Sequence, residues 1–285
     1  MAIIKDIIKQ NKRLYDISKI ISSLADNQNI KCYLVGGCVR DLMLDPKKES
    51  IDLDIMVEGD GIDFAKKIAQ ELKIAKIIPF EKFATAKIPY EKFEIEVASA
   101  RTESYFEGSR NPSEVKMTNI QEDLKRRDFT VNSMAISINN NNFGEFFDPF
   151  HGMDDLRKKI LKTPMNPDST FSDDPLRMIR AVRFASQLNF DIDKETENSI
   201  IKNSSRLKIV SSERISDEIN KILMTNTPSS GFKYLERMGL LRYIIPELID
   251  LKGIEEIEGQ THKDNFYHTL EVLDNISKNT ENLWL

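Results

Sequence analysis

The chain has 285 residues, of which 40% are hydrophobic and 31% charged, and its formal net charge is −5. This composition is typical of a folded protein with two or three modules, and it excludes a disordered or fibrous chain. No apolar run reaches about 18 residues, so no membrane-spanning segment is expected, and the charged N-terminus argues against a secretory signal. Cys32 and Cys38 form no zinc pattern, so we expect a reduced cytoplasmic protein.

The first half of the chain is predicted to form a mixed sheet with flanking helices. Apolar residues recur at helical spacing over 3–27, and another helix is expected over 64–72. Four asparagines at 139–142 predict a turn. The sheet should have about four or five strands. The β-rich runs lie at 31–35, 51–57, 83–88, 93–97 and 131–138.

After Asp148 and Pro149 the strand signals stop, and the second half is predicted to be helical. One helix should begin with Ser172 as its N-cap and run to about Leu188. Further helices are expected over 195–203, 211–224 and 231–238. The predicted fold class is α+β, with a head domain over 1–150, an all-helical module over 151–252 and a short polar tail over 253–285.

Two adjacent glycines, Gly36 and Gly37, follow the first predicted strand. Glycine lets the backbone turn tightly and come close to a ligand. The start of the next helix offers N–H groups and the positive end of the helix dipole, which suits a phosphate group. Arg40 adds a two-pronged donor for the same phosphate.

Asp52 and Asp54 lie two residues apart in the predicted strand over 51–57, so they should share one face while Leu53 and Ile55 point into the core. Two carboxylates on one face repel each other unless a cation lies between them, and hard oxygen ligands select Mg²⁺ or Mn²⁺. Two such ions, about 3.5–4 Å apart, would stabilise the attacking and leaving oxygens of a phosphoryl transfer. An exposed acidic strand has the same spacing, but the glycines upstream favour the metal site.

Glu94 and Glu96 repeat this spacing on the next predicted strand. One of them could be a third metal ligand or the base that accepts a proton from an attacking hydroxyl group. We favour Glu96, because it leads into the segment Val97-Ala-Ser-Ala-Arg-Thr-Glu103. A solvated strand face is the alternative.

Basic residues are concentrated in the middle of the chain, at 125–127, 157–162 and 177–183, although the total charge is acidic. Such a local basic surface is typical of a protein that binds phosphates and metal ions together. Each run taken alone also fits a solvated helix face.

Six motifs stand in order between about residues 30 and 250. Together they resemble the bacterial class of CCA-adding tRNA nucleotidyltransferases and their poly(A) polymerase relatives. One motif alone could arise by chance, whereas six in the family's order are specific. The motifs are Leu34-Val-Gly-Gly-Cys-Val-Arg-Asp41, Asp52-x-Asp54, Arg126-Arg-Asp-Phe-Thr-Val-Asn132, Asp148-Pro-Phe-His-Gly-x-x-Asp-Leu156, Asp173-Asp-Pro-Leu-Arg177 and Ser212-Glu-Arg-Ile215.

The resemblance implies an enzyme that adds C and A residues to the 3′ end of tRNA without a nucleic-acid template. CTP and ATP would be its substrates, and two Mg²⁺ ions, or Mn²⁺, its cofactors. No membrane partner is implied, and no oligomeric state is indicated. Residues 148–156 would be a hinge between head and neck. By position, Asp52 and Asp54 would hold the metals, Gly37 and Arg40 would contact the triphosphate beside Gly36, and Arg127, Asp128 and Asn132 would meet the incoming ribose and phosphates.

By the same resemblance, Asp174 and Arg177 would contact the Watson–Crick edge of the incoming base. A carboxylate accepts a hydrogen bond from an exocyclic amine, and a guanidinium donates to a ring nitrogen or carbonyl, a pattern that suits both C and A. Arg180 and Arg183 follow at steps of three and would line the same side of the helix. The alternative to base recognition is an exposed ion pair between Asp174 and Arg177.

Two positions depart from the family's pattern. His151 stands where glycine is frequent, which could stiffen the hinge, and Asp173 stands where many relatives have glutamate. Residues 261–270 resemble the opening of a His/Asp phosphohydrolase-type domain, so we expect 253–285 to be the start of such a domain, truncated. We assign no catalysis to His262 or His268.

Three alternatives stay open: a poly(A) polymerase of the same fold, an enzyme that adds only CC or only A, and a non-catalytic RNA-binding protein with a nucleotidyltransferase-like head. The basic segment associated with the polymerases has no clear counterpart before Glu94, which favours the tRNA enzyme. The presence of Asp52, Asp54 and Arg177 argues against a head that has lost its activity.

Overall fold

A computed structural model describes residues 2–48, 51–91, 93–105, 112–253, 256–257, 260–261 and 264–280. The chain divides into two compact units, residues 1–104 with 112–157 and residues 105–111 with 158–285. The first unit ends at Arg157, and the tail over 253–285 lies within the second unit. The division into three domains stays a prediction.

The elements up to residue 158 are a mixture of helices and strands. In chain order they are α1 (Ala2–Gln10), α2 (Lys12–Asn27), β1 (Cys32–Val35), α3 (Gly36–Leu44), β2 (Leu53–Val57), α4 (Gly61–Glu71), β3 (Ile78–Phe80), β4 (Thr85–Tyr90), β5 (Phe93–Ser99), β6 (Arg101–Tyr105), β7 (Pro112–Met117), α5 (Ile120–Lys125), β8 (Ala135–Ser137), β9 (Phe146–Phe147) and α6 (Gly152–Lys158).

Among the described residues, seven strands form one mixed sheet in the order β3-β4-β5-β2-β1-β8-β9. β2 and β5 run parallel, and the other neighbouring strands are antiparallel. Leu53 and Ile55 of β2 are buried in the core, as the alternation of the strand predicts. The mixed sheet with flanking helices confirms the predicted fold class.

The sequence predicted most of this sheet but not its edges. β3 was missed because three residues are too few to show alternation and the middle one is proline, which sheets tolerate at their edges. The run over 131–138 is a 3₁₀ turn at Thr130–Asn132 followed by the shorter β8. The helical stretch over 3–27 is two helices, because the side chain of Asn11 accepts a hydrogen bond from the Leu14 amide at 3.0 Å and caps α2.

The second unit is mainly helical, but strands do not stop altogether. β10 and β11 form a short parallel pair, which the sequence did not indicate. The remaining elements are β10 (Ile160–Leu161), α7 (Pro167–Asp173), α8 (Leu176–Leu188), β11 (Asp191–Ile192), α9 (Lys194–Asn203), α10 (Ser212–Leu223), α11 (Pro228–Arg237), α12 (Pro246–Ile249), β12 (Glu256–Ile257), β13 (Gln260–Thr261) and α13 (Asn265–Ser277).

The helix predicted to begin at Ser172 begins later, and Ser172 is not its cap. Ser172 lies inside α7, which is capped by Asn166 and has Pro167 at its first position. The backbone is extended at Asp174, because a residue before proline avoids the helical region. The Asp174 side chain then accepts a hydrogen bond from the Leu176 amide at 3.2 Å, at the start of α8.

The tail packs on the body of the second unit. α13 contacts α11 and buries Phe266 and Leu270. The carboxylate of Asp274 accepts a hydrogen bond from the Ser229 amide, in the first turn of α11, at 2.9 Å. His268 is exposed on α13, whereas His262 lies outside the described residues. The identification of this segment with a His/Asp-type domain stays a prediction.

Within the described ranges, no helix is both long and apolar enough to cross a bilayer. Cys32 and Cys38 are free and buried, and burial raises the pKa of both thiols. Both side chains therefore behave as small apolar groups rather than as nucleophiles.

Candidate active site

Asp52 and Asp54 flank Leu53 at the start of β2. Asp52 directly precedes the strand and is exposed, while Asp54 is partly buried within it. The Asp52 carboxylate accepts a hydrogen bond from the Glu94 amide at 3.2 Å. With Leu53 in the core between them, the two carboxylates extend from the opposite side of the backbone.

The start of α3 lies against the Asp54 carboxylate. The Cys38 amide donates to Asp54 Oδ2 at 3.3 Å, so one of the helix's free N–H groups is directed at this carboxylate. Gly36 has a left-handed backbone (φ +64°), and a β-carbon added there would lie 2.8 Å from Arg127 Nη1. A β-carbon at Gly37 would lie 3.4 Å from Asp54 Oδ2. The two glycines therefore give the backbone, Asp54 and Arg127 room to meet.

Glu96 is the neighbour of Asp54 on the next strand. The parallel register of β2 and β5 pairs Asp54 with Glu96, so the two side chains share a face. Burial and the charge of Glu96 raise the pKa of Asp54 to about 6, against the opposing effects of Arg127 and the Cys38 amide. Glu94 instead forms an ion pair with Lys87 at 2.7 Å. Of the two glutamates, Glu96 is thus the one beside Asp54.

Arg127 is held by Asp123, a residue that the sequence analysis missed. One oxygen of Asp123 accepts from Arg127 Nε and Nη2 at 3.1 and 3.0 Å. The other accepts from Arg126 Nε and Nη2 at 3.0 and 2.6 Å. Asp123 is only 1% exposed, and although burial opposes its charge, Arg127 and Arg126 hold the pKa of this carboxyl below its usual range. The spacing of Asp123 three and four residues before the two arginines is the signal that could have found it.

Arg40, Asn132 and Asp128 form a buried chain of hydrogen bonds. Arg40 donates from Nη1 to Asn132 Oδ1 at 2.8 Å, and the Asn132 amide donates to Asp128 Oδ1 at 3.0 Å. The Arg40 guanidinium also pairs with Asp41 at 2.6 Å. Its donors are thus engaged within the protein, and its contact with a phosphate stays a prediction.

The predicted hinge begins with a capped helix. Both oxygens of Asp148 accept hydrogen bonds at the start of α6, from the Gly152 amide at 2.6 Å and the Met153 amide at 2.9 Å. His151 has a left-handed backbone with φ +59°, a conformation that glycine adopts more readily. A β-carbon at Gly152 would lie 2.2 Å from the Thr130 carbonyl oxygen, so a side chain is excluded there.

In the second unit, Asp174 is held by a residue from another helix. Arg214 of α10 donates to its two oxygens at 2.9 and 3.5 Å. Asp174 precedes α8, whereas Arg177 lies in the first turn of that helix. An ion pair with Arg177 along one side of a helix is therefore not a full account of Asp174. Arg214 belongs to the Ser212–Ile215 motif but was given no role in the sequence analysis.

Arg180 and Arg183 converge on Glu218 of α10. Glu218 is buried and accepts from Arg183 Nε at 2.5 Å, with Arg180 Nη1 at 3.7 Å and Lys221 Nζ at 3.0 Å. Burial alone would raise the pKa of Glu218, but the charges of Arg183 and Arg180 outweigh burial and lower it. This carboxylate therefore stays charged. The two arginines join α8 to α10, and their contact with a nucleotide stays a prediction.

Comparison with known proteins places this geometry in a family. Poly A polymerase head domains match residues 32–162, and the family described as "Probable RNA and SrmB- binding site of polymerase A" matches residues 189–251. The A-adding tRNA nucleotidyltransferase of Geobacter sulfurreducens is 34% identical over 269 residues, and the CCA-adding enzyme of Limosilactobacillus reuteri is 34% identical over 237 residues. The chain belongs to the tRNA nucleotidyltransferase and poly(A) polymerase family.

The chain spans part of the length of these tRNA nucleotidyltransferases. The alignments cover 93% of the chain and 28% of the Geobacter protein, and 83% of the chain and 56% of the Limosilactobacillus protein. A tRNA nucleotidyltransferase solved with a primer tRNA and an incoming ATP analog superposes with a TM-score of 0.69 at 31% identity. That superposition covers 81% of this chain and 66% of the solved one.

The carboxylate oxygens at this site are of the type that binds hard divalent cations. Asp54 is a partly buried carboxylate beside Glu96, and burial together with the charge of Glu96 raises its pKa, so a cation beside it would favour the ionised form. No group of three or more His, Cys, Asp or Glu side chains converges as a metal cage among the described residues. Mg²⁺ needs no such cage, because it binds through one or two carboxylates together with substrate phosphates.

Proposed function

We propose that this chain is the nucleotide-transferring part of an enzyme that adds C and A residues to the 3′ end of tRNA. The observation that carries the proposal is that Asp54 lies beside three groups: Glu96 on β5, the backbone at the start of α3, and the Arg127 guanidinium. Carboxylates beside a helix start and a guanidinium form a site for a divalent ion and a triphosphate.

Asp52 and Asp54 are the proposed ligands of two Mg²⁺ ions, with Mn²⁺ as a possible substitute. The bound ions would supply positive charge to the attacking and leaving oxygens of the transfer. Glu96 lies beside Asp54 and would either complete the metal site or accept the proton of the 3′ hydroxyl group. The displaced group would be pyrophosphate, and the new bond would join the 3′ oxygen to the α-phosphorus.

The triphosphate would lie over the glycines at the start of α3. Arg127 is held there by the buried Asp123, so little side-chain freedom is lost when it meets a phosphate. The chain from Arg40 through Asn132 to Asp128 fixes the next layer of polar groups, and we propose that Asp128 and Asn132 recognise the ribose. Arg40 would then act mainly by holding Asn132.

Base choice is assigned to Asp174 and Arg177. Without a template base, side chains must present the complementary hydrogen-bond pattern themselves. The ion pair with Arg214 orients the Asp174 carboxylate, whose oxygens are acceptors, the role needed for the exocyclic amine of C or A.

One experiment separates the products. Purified protein is given tRNAs that end at the discriminator base, at C or at CC, each with CTP or ATP, and the products are sized. CCA addition extends the first two tRNAs to CC with CTP and adds one A to the third with ATP, whereas a poly(A) polymerase makes long A tails. No extension with either nucleotide in Mg²⁺ or Mn²⁺ would contradict catalysis and favour an RNA-binding role.

An enzyme that adds only A is the second candidate. The relatives from Geobacter sulfurreducens and Aquifex aeolicus, 34% and 36% identical, are A-adding tRNA nucleotidyltransferases. In the same assay this enzyme would extend only the tRNA that ends in CC, and only with ATP.

A further inference from the structure

The face of the sheet that carries Asp54 continues to the uncovered edge strand. Strand register places Asp54 beside Glu96, Glu96 beside Lys87, and Lys87 beside Ile78 on β3. Register partners share a face, so this row crosses four strands on one side of the sheet. The edge strand β3 is therefore part of the same surface as the carboxylates.

The outer end of this surface is apolar and exposed. The next row on the same face ends at Phe80, opposite Thr85. Ile78, Phe80 and the nearby Phe83 are 38%, 41% and 39% exposed. An edge strand normally carries charges that prevent pairing with other chains, so grouped apolar side chains here indicate a binding surface.

Positive charge lies beside these rings. Arg101 donates from Nη1 to the Phe83 carbonyl oxygen and to Thr85 Oγ1, the latter at 3.3 Å, and its Cζ is 5.6 Å from the centre of the Phe83 ring. Lys82 Nζ is 5.9 Å from the same ring centre. These two cations outnumber the exposed Glu81, which lies between β3 and Phe83. Aromatic rings flanked by cations are the usual platform for single-stranded nucleic acid.

The direction of the transfer reaction selects the occupant. The start of α3, which follows β1, lies on one side of Asp54, and β5, β4 and β3 lie on the other. In an in-line displacement the attacking oxygen and the leaving pyrophosphate lie on opposite sides of the phosphorus. With the triphosphate over α3, the RNA that carries the 3′ hydroxyl group must approach across β5 from the side of β3.

We propose that Phe80 and Phe83 form a stacking surface for the bases at the single-stranded 3′ end of the acceptor RNA. Arg101 and Lys82 lie beside its phosphates. This inference rests on the proposed function, because it locates the second substrate of the same reaction. Stacking does not depend on base identity, so the surface would hold a 3′ end whose sequence changes with each addition.

The test compares Phe80→Ala and Phe83→Ala with Phe80→Tyr and Phe83→Tyr, which keep the ring. Ile20→Ala is the matched control, because Ile20 is equally exposed at 38% but lies on α2. KM is measured for the RNA primer and for the nucleotide separately. The alanine variants should raise the primer KM at least about fivefold and leave the nucleotide KM unchanged, with wild-type values for the tyrosine variants.

Three outcomes separate the possible failures. Unchanged primer KM in both alanine variants overturns the stacking surface while the proposed function stands. Loss of a concentration-dependent dimer in these variants, with unchanged primer KM, means that the edge strand binds a second copy of the chain instead. If the wild-type protein transfers no nucleotide to any RNA, the proposed function itself fails, and binding of a fluorescent single-stranded oligonucleotide to the same variants still decides whether the surface holds RNA.

Discussion

Asp54 and Glu96 occupy the same register position on neighbouring parallel strands, with the Cys38 amide directed at Asp54 from the start of α3. Neighbouring strands are only about 5 Å apart, so two like charges at one position repel each other. Burial and this repulsion together raise the pKa of Asp54 to about 6. The position is thus costly for an ionised carboxylate alone and favourable for one bound to a cation.

Asp52→Ala and Asp54→Ala should each abolish nucleotide transfer while leaving the fold and RNA affinity nearly unchanged. The reason is that each variant removes a proposed metal ligand without disturbing the buried residues of β2. Transfer is measured in Mg²⁺, with circular dichroism and a binding titration alongside. Asp63→Ala, which removes an exposed carboxylate paired with Lys67 on α4, is the control. More than a tenth of wild-type activity in either variant would count against the metal role.

Asp123→Asn should destabilise the protein and weaken nucleotide binding. It leaves Arg126 and Arg127 without their buried counter-charge, which should lower the free energy of unfolding by about 2–4 kcal/mol at neutral pH. The looser Arg127 should raise the nucleotide KM. Asp63→Asn should change neither quantity appreciably.

The effect of Asp123→Asn should depend on pH in one direction. The folded-state pKa of Asp123 lies below its unfolded value of about 3.9, so its stabilisation is complete above that value and is lost as the pH falls through the folded pKa. Urea unfolding at several pH values should therefore show the difference between wild type and variant shrinking below a pH of about 4. A constant difference down to the acid transition would show that the charge of Asp123 is not what stabilises the fold.

Arg177→Ala and Asp174→Ala should blur the choice of CTP and ATP over UTP and GTP. Each lost hydrogen bond to the base edge should cost roughly 5- to 150-fold in discrimination, while triphosphate binding is spared. Arg214→Ala should resemble Asp174→Ala, because it releases the same carboxylate. Steady-state incorporation of all four nucleotides is the measurement, with the exposed Glu213→Ala on α10 as the control. A uniform loss of rate with wild-type selectivity would mean that these residues only join helices.

His151→Gly should raise the free energy of unfolding by about 0.5–1 kcal/mol, because a left-handed backbone strains any residue with a β-carbon and glycine relieves it. His268→Gly should have the opposite sign, since His268 is exposed within α13, where glycine disfavours the helix. Thermal unfolding of both variants tests the pair. Destabilisation by His151→Gly would show that the imidazole makes contacts that outweigh the strain.

Local pattern was enough to predict the glycine turn and the carboxylate strand. Gly36 and Gly37 begin α3 directly after β1, and Leu53 is buried between Asp52 and Asp54. These features could be predicted because they depend on neighbours in the chain. The choice of Glu96 over Glu94 could not be decided by local pattern alone, since both alternate in the same way. Only the register of β2 against β5 places Glu96 beside Asp54.

The residues that the sequence analysis missed either contact a distant segment of the chain or are buried on the inward-facing side of a helix. Arg214 reaches Asp174 across 40 positions of sequence, which no spacing rule covers. Asp123 was within reach of the helical i,i+4 rule but looked like an ordinary acidic residue until its burial was known. Ser172 was wrongly predicted to be an N-cap, because Asn166 and Pro167 begin an earlier helix that contains it.

The hydrogen bond from the Ser229 amide to the Asp274 carboxylate limits how far the protein can be shortened from its C-terminal side without losing stability. Removing residues 264–280 would leave the first turn of α11 uncapped and would uncover the apolar side chains now covered by Phe266 and Leu270. Recombinant fragments designed to end at the last residue of the RNA-binding match, position 251, should therefore aggregate, whereas fragments that retain α13 should stay monodisperse.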